Sequence, residues 1–212
     1  MSGPTGSGKT ILVRRILKNY KKCIDISTSG KLVVVWCYGQ YQELYREPID
    51  NVEIQYYDHL ISKTEILKIK PDLIVIDDLM YELGNNNELS ALFTRRGHHH
   101  NISIIYIVQN LFFQGNQMRN ISLNCHYLII MKSFRNKSQI KQLEYQLFGE
   151  KTKSFQKIFD EATKLPFSYL IIDMKSDTPD EFRFKSRITE EELPPSLRGK
   201  TRFAPYYYIK RD

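Results

Sequence analysis

The chain has 212 residues, enough for one α/β domain and little more. Apolar residues make up 42% and charged residues 26%, a balance that excludes a disordered or fibrous protein. The sequence contains neither an apolar run long enough for a membrane span nor a segment typical of a signal peptide. We therefore expect an intracellular protein, and the net charge of +7 is compatible with a polyanionic partner without establishing one.

The cysteines indicate a reducing environment. The chain has an odd number of cysteines, and no two of them show CxxC spacing; they are Cys23, Cys37 and Cys125. Cys37 and Cys125 lie in or beside apolar runs, which favours buried reduced thiols over a disulfide or a zinc site.

Short apolar runs rich in β-branched residues alternate with amphipathic stretches, which predicts a mostly parallel sheet flanked by helices. Strands covered on both faces are predicted at residues 32–37, 72–76, 102–108 and 127–131. Residues 169–174 and 182–188 flank a turn-forming segment and predict an added hairpin at one edge. Helices are predicted at residues 10–20, 88–96 and 154–165.

A phosphate-binding loop is predicted at the start of the chain. The pattern G-x-x-x-x-G-K-[ST] is matched by Gly3-Pro4-Thr5-Gly6-Ser7-Gly8-Lys9-Thr10, which leads directly into an amphipathic helix. Glycines let backbone N–H groups wrap the phosphates of ATP, and the helix N-terminus adds partial positive charge. In this pattern Lys9 reaches the β- and γ-phosphates, and the hydroxyl of Thr10 is a ligand of Mg²⁺.

The residues before this loop do not fit the pattern. A phosphate loop follows a buried central strand, but only Met1 and Ser2 precede Gly3. Without that strand, neighbouring strands keep unpaired backbone groups. We therefore expect either a fragment that begins at an internal methionine, which is the favoured interpretation, or another segment in the place of the first strand.

A second motif complements the loop. The apolar run at residues 72–76 ends in Asp77 and Asp78, as a Walker B strand does. Asp77 is predicted to hold Mg²⁺ through its water shell, and Asp78 to orient or deprotonate the attacking water. The strand at residues 102–108 ends in Gln109 and Asn110, and an amide there can sense the γ-phosphate. Gln109 is the better candidate of the two.

Four arginines could complete the site of a neighbouring subunit, namely Arg95, Arg96, Arg119 and Arg135. An arginine at the C-terminus of a helix is explained equally well by the helix dipole, so spacing alone leaves both interpretations open.

Two further segments, one rich in histidine and one rich in lysine, indicate a function less specifically. Adjacent histidines cannot all face one metal ion, so contact with phosphate or another subunit is favoured for His98-His99-His100. The lysine-rich residues 132–153 fit a DNA-facing edge or a solvated helix face.

These elements together resemble the FtsK–HerA superfamily of P-loop ATPases, and within it the viral DNA-packaging ATPases of poxvirus-like and Maverick/Polinton-type elements. The resemblance covers roughly residues 3–175. Its ordered blocks are residues 70–80, which contain Asp77-Asp78, residues 92–95 with His98-His99, residues 101–112, which contain Gln109-Asn110-Leu111-Phe112, residues 119–130, and Arg135.

The resemblance implies a pentameric or hexameric ring that hydrolyses ATP to drive double-stranded DNA into a capsid. It implies a capsid or portal-vertex protein as partner, and action in the host nucleus, a viral factory or the virion. Arg95 fits best the arginine that acts in trans, although a second arginine follows it where a small residue is expected. We expect an ASCE-type P-loop ATPase domain at residues 1–188 and, at residues 189–212, a surface-hugging tail or partner-binding arm.

Two other functions are compatible with the motifs. A nucleotide or nucleoside kinase would need an acceptor pocket and an arginine-rich lid over the phosphates. An inactive, truncated copy from a mobile element would act only as a binding module.

Overall fold

The computed structural model describes residues 1–24, 30–79, 101–112, 121, 123–134, 137–149, 155–192 and 206–207. Its contacts divide the chain into two compact units. We call Thr10–Gln109 with Phe113–Cys125 the parallel-sheet unit. The phosphate-loop unit is Met1–Lys9, Asn110–Phe112 and His126–Asp212. The predicted boundary between residues 188 and 189 stays a prediction.

The elements follow the predicted alternation in part. The helices are α1 (Lys9–Lys18), α2 (Tyr20–Cys23), α3 (Lys63–Ile69), α4 (Lys137–Phe148) and α5 (Phe155–Ala162). The strands are β1 (Leu32–Tyr38), β2 (Val52–Tyr57), β3 (Leu73–Asp77), β4 (Ser103–Ile107), β5 (Tyr127–Met131), β6 (Tyr169–Asp173), β7 (Phe184–Ser186) and β8 (Tyr206–Tyr207). Short 3₁₀ turns lie at Glu43–Arg46, Asp180–Phe182 and Glu190–Glu192.

The parallel-sheet unit is built on four parallel strands in the order β2-β1-β3-β4. Every residue of β3 is buried, because both faces of this inner strand are covered. One face packs a cluster that includes Val35, Ile74, Ile76 and Tyr106. The pairing of Asp77 with Tyr38 on one side and with Ile107 on the other brings three strand ends to one edge of the sheet.

The phosphate-loop unit holds an antiparallel sheet in the order β5-β6-β7-β8. The pairing of β6 with β7 confirms the predicted hairpin, and Tyr206–Tyr207 adds a strand from the predicted tail. Ser2 makes a parallel bridge to Ile130, through hydrogen bonds to Ile129 (2.8 Å) and Met131 (2.9 Å). Because this bridge directly precedes Gly3, the phosphate loop begins beside the carboxyl end of β5.

The sheet of the phosphate-loop unit is covered by α4 and α5. Their apolar residues, among them Ile140, Leu143 and Phe159, join Leu170 and Phe184 in one buried cluster. The predicted helix at residues 154–165 is confirmed as the shorter α5. The predicted helix at residues 88–96 lies outside the described residues.

The thiols agree with the prediction only in part. None of the three cysteines forms a disulfide, and Cys37 is fully buried, whereas Cys125 is only partly buried. Burial raises the pKa of Cys37 to about 11, which keeps that thiol protonated and unreactive at neutral pH. Among the described residues, no helix is long and apolar enough to cross a membrane.

Candidate nucleotide site

The phosphate loop adopts a conformation that its glycines make possible. Gly6 and Gly8 have positive φ angles of 75° and 90°, a region that glycine enters without steric cost. A Cβ atom on Gly3 would lie 2.6 Å from Cβ of Met131, so only glycine fits where the loop begins beside β5. The loop can therefore expose its backbone N–H groups to a ligand, as a phosphate cradle requires.

Polar side chains of the loop face inward. The ammonium group of Lys9 donates hydrogen bonds to the carbonyl oxygens of Gly3 (2.6 Å) and Pro4 (2.8 Å). The hydroxyl of Ser7 is buried and has no hydrogen-bond partner among the residues that the structure describes. A buried hydroxyl of this kind gains a partner when an anion binds, because phosphate oxygens accept hydrogen bonds.

The parallel-sheet unit joins Thr10 to the end of β3. Thr10 Oγ1 donates to Oδ2 of Asp77 over 3.2 Å. Tyr45 donates its own hydroxyl to the same carboxylate oxygen over 3.1 Å, and Asp77 is only 4% exposed. A buried carboxylate with two hydroxyl donors is held in one orientation.

Tyr45 is a site residue that the sequence analysis misses. Its burial, followed by the negative charge of Asp77, raises the pKa of the phenol, so the hydroxyl stays a proton donor at neutral pH. Its ring stacks on Tyr56 with centroids 4.9 Å apart. The hydroxyl of Tyr56 accepts from Arg14, whose guanidinium also donates to the Glu47 carbonyl over 2.6 Å. Arg14 lies on α1 one turn after Thr10. The contacts therefore run in a closed ring from Thr10 to Asp77, Tyr45, Tyr56 and Arg14, and along α1 back to Thr10.

Asp78 and Gln109 form a second pair at the same sheet edge. The amide nitrogen of Gln109 lies 2.9 Å from each carboxylate oxygen of Asp78. Asp78 has a φ of 58°, so its side chain does not continue the alternation between the two faces of the sheet that the side chains of β3 follow. The turn depends on Gly39, since a Cβ atom there would lie 2.5 Å from the carbonyl oxygen of Asp78.

Among the remaining candidates, the structure describes the contacts of Asn110. The side-chain oxygen of Asn110 accepts from Gln139 (2.6 Å) and from the backbone of Phe112 (3.1 Å), contacts within the phosphate-loop unit. Several candidates lie outside the described residues, namely Arg95, Arg96, His98-His99-His100, Arg119 and Arg135.

The residues present fit ATP and Mg²⁺. In the described part of the chain no cluster of three or more His, Cys, Asp or Glu side chains could hold a metal ion. Mg²⁺ needs no such cluster, because it keeps several waters and takes one or two carboxylates together with substrate phosphates. The hydroxyl of Thr10 and the carboxylate of Asp77 supply that donor set, and the partnerless hydroxyl of Ser7 suits a phosphate oxygen.

Comparison with known proteins finds relatives by structure only. No protein-family model and no curated protein matches the chain. The genome packaging NTPase B204 of Sulfolobus turreted icosahedral virus 2, in complex with AMPPCP, aligns over 84% of this chain and 92% of its own, with a TM-score of 0.56 and 14% identity. Its complex with ATPγS aligns over the same shares, with a TM-score of 0.55 and 13% identity. B204, the DNA-packaging ATPase of Sulfolobus turreted icosahedral virus, aligns equally with a TM-score of 0.53 and 15% identity.

At these identities the likeness shows the fold. The predicted α/β fold of a P-loop NTPase is therefore confirmed, with a parallel four-stranded sheet flanked by helices. The narrower resemblance to the ATPases of poxvirus-like and Maverick/Polinton-type elements stays a prediction.

Proposed function

We propose that this chain is a Mg²⁺-dependent ATPase that drives double-stranded DNA into a viral capsid. The observation that carries the ATPase proposal is the pairing of Thr10 with Asp77 beside the pairing of Asp78 with Gln109. Together they supply ligands for a metal ion and a polar group for the attacking water. The packaging role draws support from the shared fold with B204, which is described as a DNA-packaging ATPase.

Each residue has a role that follows from its chemistry. Backbone N–H groups of residues 3–10 bind the phosphates, and Lys9 exchanges its carbonyl partners for phosphate oxygens. Thr10 and Asp77 hold Mg²⁺, which when bound neutralises charge on the phosphates. Asp78 accepts a proton from the attacking water or orients it, and Gln109 links that carboxylate to the γ-phosphate.

The proposal also includes assembly of the chain into a ring. We place Arg95 of one subunit at the nucleotide of the next in a ring of five or six subunits, where an arginine in trans is worth about 10³–10⁵ in rate. Hydrolysis should then be weak in the monomer and rise on assembly. The capsid or portal-vertex protein is the proposed partner, and the host nucleus, a viral factory or the virion is the proposed location.

The test measures release of inorganic phosphate from ATP by this chain, with and without double-stranded DNA. Lys9→Ala is the control, because it removes the phosphate contact and leaves the exposed surface of the fold nearly intact. We expect DNA to stimulate turnover and Lys9→Ala to abolish it, with circular dichroism showing that the variant is folded.

Three results would contradict the proposal. Undiminished turnover in Lys9→Ala would place hydrolysis elsewhere. Phosphate that appears on an added nucleoside instead of in solution would identify a kinase. Folded protein that neither binds nor hydrolyses ATP would indicate an inactive binding module.

A further inference from the structure

Phe167 stands out in the phosphate-loop unit because its backbone and its side chain are both in unfavourable states. Its φ of 56° lies in the left-handed region, which is a genuine outlier for a bulky residue. The residue is nevertheless 67% exposed, so burial of the ring does not compensate for the strained backbone. Residues held in this way cluster at ligand sites, where strain is retained for function.

The ring of Phe167 lies against the phosphate loop. A Cβ atom placed on Gly8 would be 3.3 Å from Cδ1 of Phe167, so the ring covers the backbone of that glycine. Gly8 has a positive φ and directly precedes Lys9. An exposed aromatic ring therefore lies directly beside the loop that is proposed to hold the phosphates.

The turn that carries Phe167 is fixed by hydrogen bonds. The carbonyl oxygen of Ser168 accepts from the backbone N–H of Lys132 over 2.9 Å. The ammonium group of Lys132 donates to the carbonyl oxygen of Lys164 over 2.8 Å, on the other side of Phe167. The backbone N–H of Ser168 donates to Leu165 within the turn. These bonds fix the backbone on both sides of Phe167, which lowers the entropic cost of placing its ring against a ligand.

We propose that Phe167 is the platform on which the nucleobase of the bound nucleotide stacks. This inference rests on the proposed function, because the phosphate loop must first hold a nucleoside triphosphate. The base of that same nucleotide is the aromatic group that the loop itself brings within reach of the ring. Stacking on an aromatic side chain tolerates every base, so Phe167 gives affinity for a nucleoside triphosphate over inorganic phosphates.

The test separates the base from the phosphates by using two probes, AMPPCP and inorganic tripolyphosphate, each titrated calorimetrically with Mg²⁺ present. Phe167→Ala should lower the affinity for AMPPCP about 5- to 150-fold, the loss of one base–aromatic stack, and leave the affinity for tripolyphosphate unchanged. Phe167→Tyr should retain AMPPCP binding, because it keeps the ring.

Two further variants control for loss of stability and for the general effect of removing an exposed aromatic ring. Phe167→Gly removes the ring and adopts the left-handed backbone freely, so it reports on binding even if Phe167→Ala is unstable. Tyr145→Ala is the matched control, since it removes another exposed aromatic ring of the same unit, 61% exposed on α4. It should leave both affinities unchanged.

Three outcomes would overturn the proposal in different ways. Equal losses for both probes would mean that Phe167 only supports the shape of the phosphate loop. No loss for either probe would mean that the ring has no part in binding. An unsubstituted chain that binds neither probe would refute the proposed function itself, and the stacking platform with it.

Discussion

Asp77 and Asp78 are consecutive residues, yet the fold treats them in opposite ways. Asp77 ends β3 with a buried carboxylate that accepts hydrogen bonds from Thr10 and Tyr45. Asp78 turns into the left-handed region and pairs with the amide of the exposed Gln109. One carboxylate is buried at the sheet edge, and the other is half-buried and paired with an exposed side chain.

The difference teaches how one short motif can carry two chemical roles. A metal ligand gains from a rigid carboxylate, because Mg²⁺ demands near-ideal geometry. A group that handles water must reach the substrate side and exchange its partners. The left-handed turn at Asp78 separates the two proposed roles within one residue of chain, and aspartate is among the residues that accept this conformation.

Replacing Asp78 with asparagine should give the largest effect. Asn accepts the left-handed backbone and has the same size, so Asp78→Asn removes the negative charge and little else. We expect turnover of ATP to fall about 10²–10⁴-fold, while the affinity for AMPPCP stays unchanged. Phosphate release and calorimetry measure the two quantities.

The reciprocal variant sharpens the contrast between the two carboxylates. Asp77→Asn should weaken Mg²⁺-dependent binding of AMPPCP, because it removes a charged ligand. If Asp77→Asn and Asp78→Asn had the same effect on binding, the division of roles would be wrong.

The turn itself depends on Gly39, and its replacement should give the next largest effect. In Gly39→Ala the new methyl group would press on the carbonyl oxygen of Asp78, a backbone atom that cannot yield without moving the turn. We expect the free energy of unfolding to fall by about 1–3 kcal/mol. Urea unfolding followed by circular dichroism measures it.

Gly30→Ala is the control for this substitution. A Cβ atom on Gly30 would meet nothing within 4 Å, so this variant should be as stable as the original chain or slightly more stable. Equal destabilisation by both substitutions would show that the contact with Asp78 is not the cause.

Some of the fold could be predicted from local pattern. β3 and β5 are continuous apolar runs, and the glycines of the phosphate loop occupy positions that need positive φ. β2 could not be predicted in this way, because it is an edge strand whose side chains remain largely half-exposed and form no apolar run. α3 carried an unused signal, since Ser62 and Glu65 form a capping box at its start.

The residues of the candidate site could also be predicted only in part. The motifs predicted Thr10, Asp77, Asp78 and Gln109, and the fold brings them together as two pairs. Tyr45 belongs to no motif and lies 32 residues before Asp77, in the segment that connects β1 to β2. Only the folded sheet edge brings its hydroxyl to that carboxylate, so no pattern in the sequence indicates it.

Tyr45→Phe tests whether that contact matters for the metal site. The variant keeps the ring that stacks on Tyr56 and removes the hydrogen bond that the Tyr45 hydroxyl donates to Asp77. Loss of a partner that orients a metal ligand costs about 10–100-fold in metal affinity, and we expect the lower end because Thr10 still bonds to the same oxygen. Electron paramagnetic resonance of Mn²⁺ with AMPPCP measures this affinity without turnover. Tyr38→Phe removes a hydroxyl from the same aromatic cluster as a control, and an equal loss there would assign the effect to the cluster instead of the bond to Asp77.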